Sequence, residues 1–270
     1  MQGEGTIQAD PTGPKWVRRR AIAPPWRATP RDCAMCSEAA PLPRGVAERF
    51  VGYGVMSLPF AGGDILAFRR FGASSIGPAY SAIWHRDGGS GEWTFYVSIE
   101  PALACPRYFG SAIRRVVVTD IDATWVGHDH LVVSAPSPRV EWSMRIQSTP
   151  ATRALSLMAG LAPAAMWRSR AAVALLESIA SLVLGAAPVR MSGITPNGQR
   201  FAVRPRRVWR IDASAGSVEG RELGPLGGAG AALGDFRLAD VGLFACGDAE
   251  FDRLDERRHA ITLGDRVQCR

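Results

Sequence analysis

The sequence predicts a mainly β protein: an antiparallel, lipocalin-like barrel or a pair of packed sheets, with a helical insertion at about 151–187. Three observations predict it. Short runs of apolar/polar alternation recur from residue 50 onward, separated by turns rich in Gly, Pro and Asn. One stretch, 151–187, breaks that pattern, with Ala, Leu, Met and Ser in helical period. No GxGxxG, P-loop or GxSxG pattern stands in a suitable context, so a parallel α/β fold lacks its usual signatures.

The clearest hairpin spans 80–99. Residues 80–86 and 92–99 alternate on either side of the Gly-rich turn 87–91, and residues 65–71 supply a strand before them. In the second arm Trp93, Phe95, Val97 and Ile99 point one way, and Thr94, Tyr96 and Ser98 the other. Residues 113–119 and 121–126 read as one long, bent strand, which Gly127 to His130 turn into 131–134. After the Pro136–Pro138 break, Val140, Trp142, Met144 and Ile146 alternate with Glu141, Ser143 and Arg145, as suits a sheet with one dry and one wet face.

Pro163 divides the helical stretch in two. The second helix, 171–185, has a narrow polar stripe of Glu177, Ser178 and Ser181, and a helix apolar nearly all round must be buried or must meet lipid. A lid buried against the sheet is the first reading and a membrane-surface helix the second. Glu177, Arg168 and Arg170 argue against a membrane span. Strands resume after Pro188, with a strand at 207–211, a hairpin turn at 214–217, a Gly-rich loop at 224–234 and a late strand at 241–246. The total is about eight to ten strands over roughly 220 residues.

The chain has 270 residues, 47% hydrophobic and 21% charged, enough for a sizeable core and too apolar for disorder. Five Cys are too few for a disulfide scaffold, and no apolar run of about 20 residues supports an ordinary spanning helix. The net charge is +7, and Lys15 is the one lysine among 32 basic residues. Arg with abundant Ala, Gly and Pro reads as GC-rich bacterial codon usage, and the short Arg clusters match no nucleic-acid motif. No nucleic-acid partner is expected, although an Arg excess favours anionic lipid.

Residues 1–45 read as a flexible tail, and 46–270 as a single β-rich domain. Arg18 to Arg20 precede no apolar signal region, which makes the expected location cytoplasmic, with membrane association through 171–185. Cys33 and Cys36 form a CxxC with no second pair nearby and read as exposed thiols, whereas Cys105 and Cys246 read as core residues. His128 and His130 lie two apart but lack an identified third ligand, so they read as a polar turn; neither metal nor cofactor is expected.

Of eight Trp, five fall on predicted strands: Trp84, Trp93, Trp125, Trp142 and Trp209. On one inner face they would line an apolar cavity; otherwise they fill the core. Arg86 and Arg107, with Tyr108 beside the latter, are candidate clamps for an anion or carbonyl at a barrel mouth, although Arg86 next to Asp87 also fits an ordinary surface pair. The leading function is binding of an apolar small molecule such as an isoprenoid, polyketide or lipid. The alternatives are a cofactor-independent hydratase, cyclase or isomerase, with Asp120, Asp122 or Tyr96 as acid, and a peripheral membrane protein.

Residues 52–60, 65–71, 79–87 and 93–110, with 192–199, Val208-Trp209 and 233–236, resemble a family of uncharacterised proteins from high-GC bacteria. More remotely, the Trp-bearing β plan is similar to the lipocalin-like group that contains hydroxyneurosporene synthase (carotenoid 1,2-hydratase). That resemblance implies a barrel around an apolar substrate. No catalytic position of that group maps onto this chain, and the insertion at 151–187 departs from a simple barrel.

Overall fold

The computed structural model describes residues 28–186 and 189–253 and the backbone of 267–268. Strands β1 (Glu48–Pro59), β2 (Ile65–Ser74), β3 (Tyr80–Arg86) and β4 (Trp93–Val97) form an antiparallel meander. Helix α1 (Pro30–Glu38) precedes β1, and a crossover containing the short helix α2 (Pro106–Phe109) returns the chain so that β5 (Arg115–Val118) runs parallel to β4. A second meander follows: β6 (Asp122–Val126), β7 (His130–Pro136) and β8 (Arg139–Gln147). Then come helices α3 (Pro150–Leu161), α4 (Ala164–Arg168) and α5 (Arg170–Leu184). The chain returns through β9 (Ser192–Ile194), β10 (Arg200–Val218), β11 (Arg221–Glu222), the ribbon β12 (Ala231–Leu233) with β13 (Phe236–Leu238), and β14 (Leu243–Phe251). Residues Val267–Gln268, β15, lie parallel to β5.

The hydrogen-bonded order is β15-β5-β4-β3-β2-β1-β14-β10-β8-β7-β6. β5 and β6 stand near opposite ends of that path, yet only residues 119–121 join them. Four Cα steps reach at most about 14 Å. The sheet must therefore curl until its ends approach, giving a mainly β half-barrel. One buried cluster confirms the curl, since it unites Val117 of β5 with Leu131 and Val133 of β7 around Trp142, Trp209 and Phe244.

The expected alternation holds where it was clearest. Val140, Trp142, Met144 and Ile146 are buried together, and Trp93, Phe95 and Val97 face away from Tyr96. Three expectations change. The sheet is mixed, because β4–β5 and β5–β15 are parallel. Residues 113–126 are two strands at opposite ends of the sheet rather than one bent strand. The small residues 214–217 make no turn but lie inside the 19-residue β10. They are small to fit Trp142: a Cβ on Gly216 would sit 3.3 Å from Trp142 Cδ1, and Ser214 Oγ accepts the Trp142 Nε1–H at 2.9 Å.

Part of the expected N-terminal tail is ordered. Helix α1 (Pro30–Glu38) starts in a capping box between Thr29 and Asp32 and packs on β1, β2 and β14. Its Glu38 takes a two-point ion pair from Arg70 at 2.8 and 3.0 Å. Cys33 is half-buried rather than exposed: a hydrogen bond with Cys246 lowers its pKa, while burial raises that of Cys246.

Helices α3–α5 lie over β10 and β14. The Ser156 hydroxyl accepts from Val208 N at 3.0 Å. The Glu177 carboxylate accepts from Met191 N at 2.6 Å and Ser192 N at 3.0 Å, which ties α5 to the chain leading into β9. The break at Pro163 and the stop at Gly185, with φ of 60°, match the sequence reading.

Candidate functional site

Between the sheet and α3–α5 lies an apolar cavity of about 180 Å³. It is on the face of the sheet opposite the Trp142–Trp209 core. Phe50, Tyr80, Trp84, Tyr108, Phe109 and Phe251 form its aromatic side, and Leu155, Met158, Leu176, Ala180 and Leu184 form its helical roof. Gly52 and Gly247, paired across β1 and β14, give it a stretch of bare backbone wall. Gly52 has no room for a side chain, since a Cβ there would lie 1.9 Å from the Arg70 carbonyl oxygen.

Two buried charges stand in this wall: Asp248, which Arg206 pairs at 3.0 Å, and Arg69. Arg69 on β2 shares a face with Ile65 and Ala67 and lies opposite Ala82 on β3, with Tyr80 and Trp84 as diagonal neighbours. Its guanidinium is buried, and Cζ sits 4.7 Å from the Trp84 ring centroid. The β1 bulge between Val55 and Ser57 explains part of this placement, because it frees carbonyls from the ladder. Arg69 Nη1 donates to Val55 O and to Phe68 O, the latter at 2.9 Å, and Nη2 donates to Met56 O at 3.1 Å. Three of its five N–H donors are thus used on neutral acceptors. Among the described residues no carboxylate pairs with it. Burial lowers its pKa to about 10, against the opposing pull of Cys105 and Tyr80, so it remains a cation at neutral pH.

Two polar groups accompany Arg69. Tyr80 Oη lies 3.4 Å from Cys105 Sγ. Burial raises the pKa of both groups, and they are neutral near pH 7. The buried Trp84 Nε1–H interacts with the Cys105 thiol and has no oxygen or nitrogen acceptor among the described residues. At the side of the cavity Tyr108 donates to Glu48 at 2.5 Å, and Arg107 grips the same carboxylate at 2.7 and 3.0 Å. The arrangement can hold a compact apolar body with an anionic or carbonyl oxygen turned toward Arg69.

Of the residues singled out from sequence, Trp84 and Tyr108 line this cavity. The expected single Trp-lined face does not form. Trp142 and Trp209 are buried in the core on the other face with Trp125 packed against it, while Trp93 packs with Phe95. Register between strands, not alternation within one, decides which Trp share a face. Arg107 is committed to Glu48, and Arg86 donates to Gly63 O at 3.3 Å, so neither lies along the cavity wall. Asp120 and Asp122 are exposed. Tyr96 belongs to the other face, where burial pushes its pKa up to about 12.

Arg69, Tyr80 and Cys105 were missed as a group. A signal for Arg69 was present: it interrupts the Ile65, Ala67, Phe71 face of an otherwise apolar strand. A second polar group, Asp64, His85 and Asp87, could hold a metal by its ligand atoms alone. Arg221 already donates to both Asp64 oxygens at 2.8 Å and to Asp87 at 3.2 Å, so a guanidinium supplies the positive charge there.

No protein-family model and no curated protein matches the chain. Among solved structures, an acetoacetate decarboxylase from Legionella pneumophila aligns at 10% identity and a TM-score of 0.35, covering 80% of this chain and 91% of that one. Another acetoacetate decarboxylase structure aligns at 14% identity and a TM-score of 0.37, covering 80% and 94%. Likenesses this low assign no activity to the present chain.

Proposed function

We propose that this protein binds a compact amphipathic small molecule, with its apolar body in the cavity and a single anionic group, a carboxylate by preference, on Arg69. The observation that carries this reading is the enclosed guanidinium with no carboxylate partner among the described residues. An uncompensated buried charge is unfavourable by several kcal/mol, and its backbone carbonyls offset only part of that. A ligand anion would supply the missing charge through the unused donors. The size favours a small ring or short chain over a long isoprenoid, because an apolar cavity of roughly 150 Å³ accommodates a benzene-sized molecule.

The test is thermal melting of the full chain with small carboxylic acids and their matching primary amides. Acids raise the midpoint and amides do not. Arg69→Gln retains a donor for the bulge carbonyls, yet its acid affinity falls about 10- to 100-fold. Arg69→Lys keeps the charge but loses the planar fork, and binds with intermediate affinity. An amide as effective as its acid refutes the reading, as does a well-folded Arg69→Gln with undiminished acid binding. Affinity is level from about pH 6 to 9, then falls as pH rises through about 10 and Arg69 loses its proton. It also falls below roughly pH 4–5, where the ligand carboxylate protonates.

Tyr80 and Cys105 beside Arg69 support one catalytic reading. Arg69 would hold the oxygen of a bound enol, and neutral Tyr80 would donate its proton to the enol carbon while taking the enol O–H proton in return, which gives the ketone and restores Tyr80. Solvent-deuterium incorporation into a bound ketone, lost in Tyr80→Phe, distinguishes this from simple binding.

A further inference from the structure

We propose that helices α3 and α5 dock this protein on an anionic membrane surface. Their buried sides roof the cavity, and their other sides carry large apolar groups into solvent. Leu157 and Leu161 on α3 are 63% and 74% exposed, and Leu175 and Leu182 on α5 are 59% and 83% exposed. On α5 the exposed positions Ala171, Ala174, Leu175, Ser178 and Leu182 recur every three or four residues and form one continuous face. Isolated surface leucines are ordinary, but four on two adjoining helices of one lid form an apolar surface that no described residue covers.

The charge around this surface selects the partner. From Pro150 to Leu184 the exposed charged residues are Arg153, Arg168 and Arg170. Glu177, the one acidic residue in that stretch, is buried and occupied by backbone amides and Arg190. Apolar side chains whose exposed charged neighbours along these helices are all cations match the boundary between acyl chains and anionic headgroups. No helix among the described residues is long and apolar enough to cross a membrane, and α3 and α5 at 12 and 15 residues are suited to lying in the interface.

The experiment is sedimentation of the full chain with phosphatidylglycerol/phosphatidylcholine vesicles and with pure phosphatidylcholine vesicles at near-physiological salt. Leu175→Glu/Leu182→Glu is the matched variant, since both leucines are exposed and the substitutions leave the core intact. The wild type pellets with anionic vesicles at least about tenfold more tightly than with neutral ones, and the variant loses about tenfold or more, with an unchanged melting midpoint. Failure of the wild type to bind anionic vesicles overturns the proposal. So does undiminished binding by the variant, which would leave only diffuse charge attraction. A wild-type dimer in sedimentation velocity that the variant converts to monomer also overturns it, because a second copy would then cover this face. Vesicle binding needs no ligand, so its failure leaves the cavity reading intact.

Discussion

The two faces of the curled sheet bury similar side chains to different ends. On the inner face Trp142, Trp209, Phe244 and Tyr53 fill the space between strands from both ends of the sheet. On the outer face Phe50, Tyr80 and Trp84 are as deeply buried, but the helices roof them without filling the gap. Adjacent residues of one strand serve both faces: Phe68 packs inward while Arg69 turns outward. The inner face packs its side chains into one buried cluster. The outer face retains a cavity and a cation whose countercharge no described residue supplies. Aromatic content therefore does not locate a binding site; the distinguishing features are an unfilled volume and an uncompensated charge.

The largest test of this contrast is Trp142→Ala on the filled face. It removes a large buried side chain and the 2.9 Å hydrogen bond to Ser214, leaving a void between β8 and β10. The expected loss is about 3–5 kcal/mol. Chemical denaturation measures it, and acid binding by the folded fraction should be unchanged. A loss below about 1 kcal/mol would mean that the inner face is not tightly packed.

Local signals made much of the fold legible. Alternation and the Gly-rich turn at 87–91 identified β3 and β4, while Pro163 and Gly185 bounded the helices. The relation between β5 and β6 was not local: a three-residue link looks like a bend until the full strand order is known. The same limit applied to the site. Parity places Trp84 or Trp142 within its own strand, but only cross-strand register puts them on opposite sides of the sheet. Arg69 was hidden in Arg69-Arg70, where both residues look like surface charge. Arg70 has Glu38 as its partner, and Arg69 has backbone carbonyls. Even α1 was signalled, by the Thr29-Pro-Arg-Asp32 capping box within an otherwise Pro-rich segment.

A smaller effect lies at the margin of the filled face. His85 follows Trp84 and points to the side of Ile83, where its ring nitrogen lies 2.8 Å from Asp64. Burial pushes the Asp64 carboxyl up, but hydrogen bonds from Arg221 and His85 outweigh this and hold its pKa at about 2. A lowered carboxyl pKa adds stability that is present above the unfolded value near 4 and is lost as pH falls through about 2. With screening at the half-exposed Arg221, the expected contribution is about 1–2 kcal/mol. Asp64→Asn should flatten the pH dependence of stability between about 4 and 2, measured by urea unfolding across that range. An unchanged slope would show that other carboxylates carry acid sensitivity.

The smallest effect on stability should accompany a large effect on binding. Ala180 on α5 lines the roof of the cavity, and leucine at that position would project into open space. The added methylene groups gain burial and contacts, while α5 must adjust slightly to accept them, so the net change should stay within about 1 kcal/mol. The same atoms occupy the volume that an acid ligand needs, and affinity should fall by about tenfold or more, read by calorimetric titration. Undiminished binding would place the ligand elsewhere. A destabilisation above about 3 kcal/mol would show that the outer face closes as tightly as the inner one, and the contrast between them would fail.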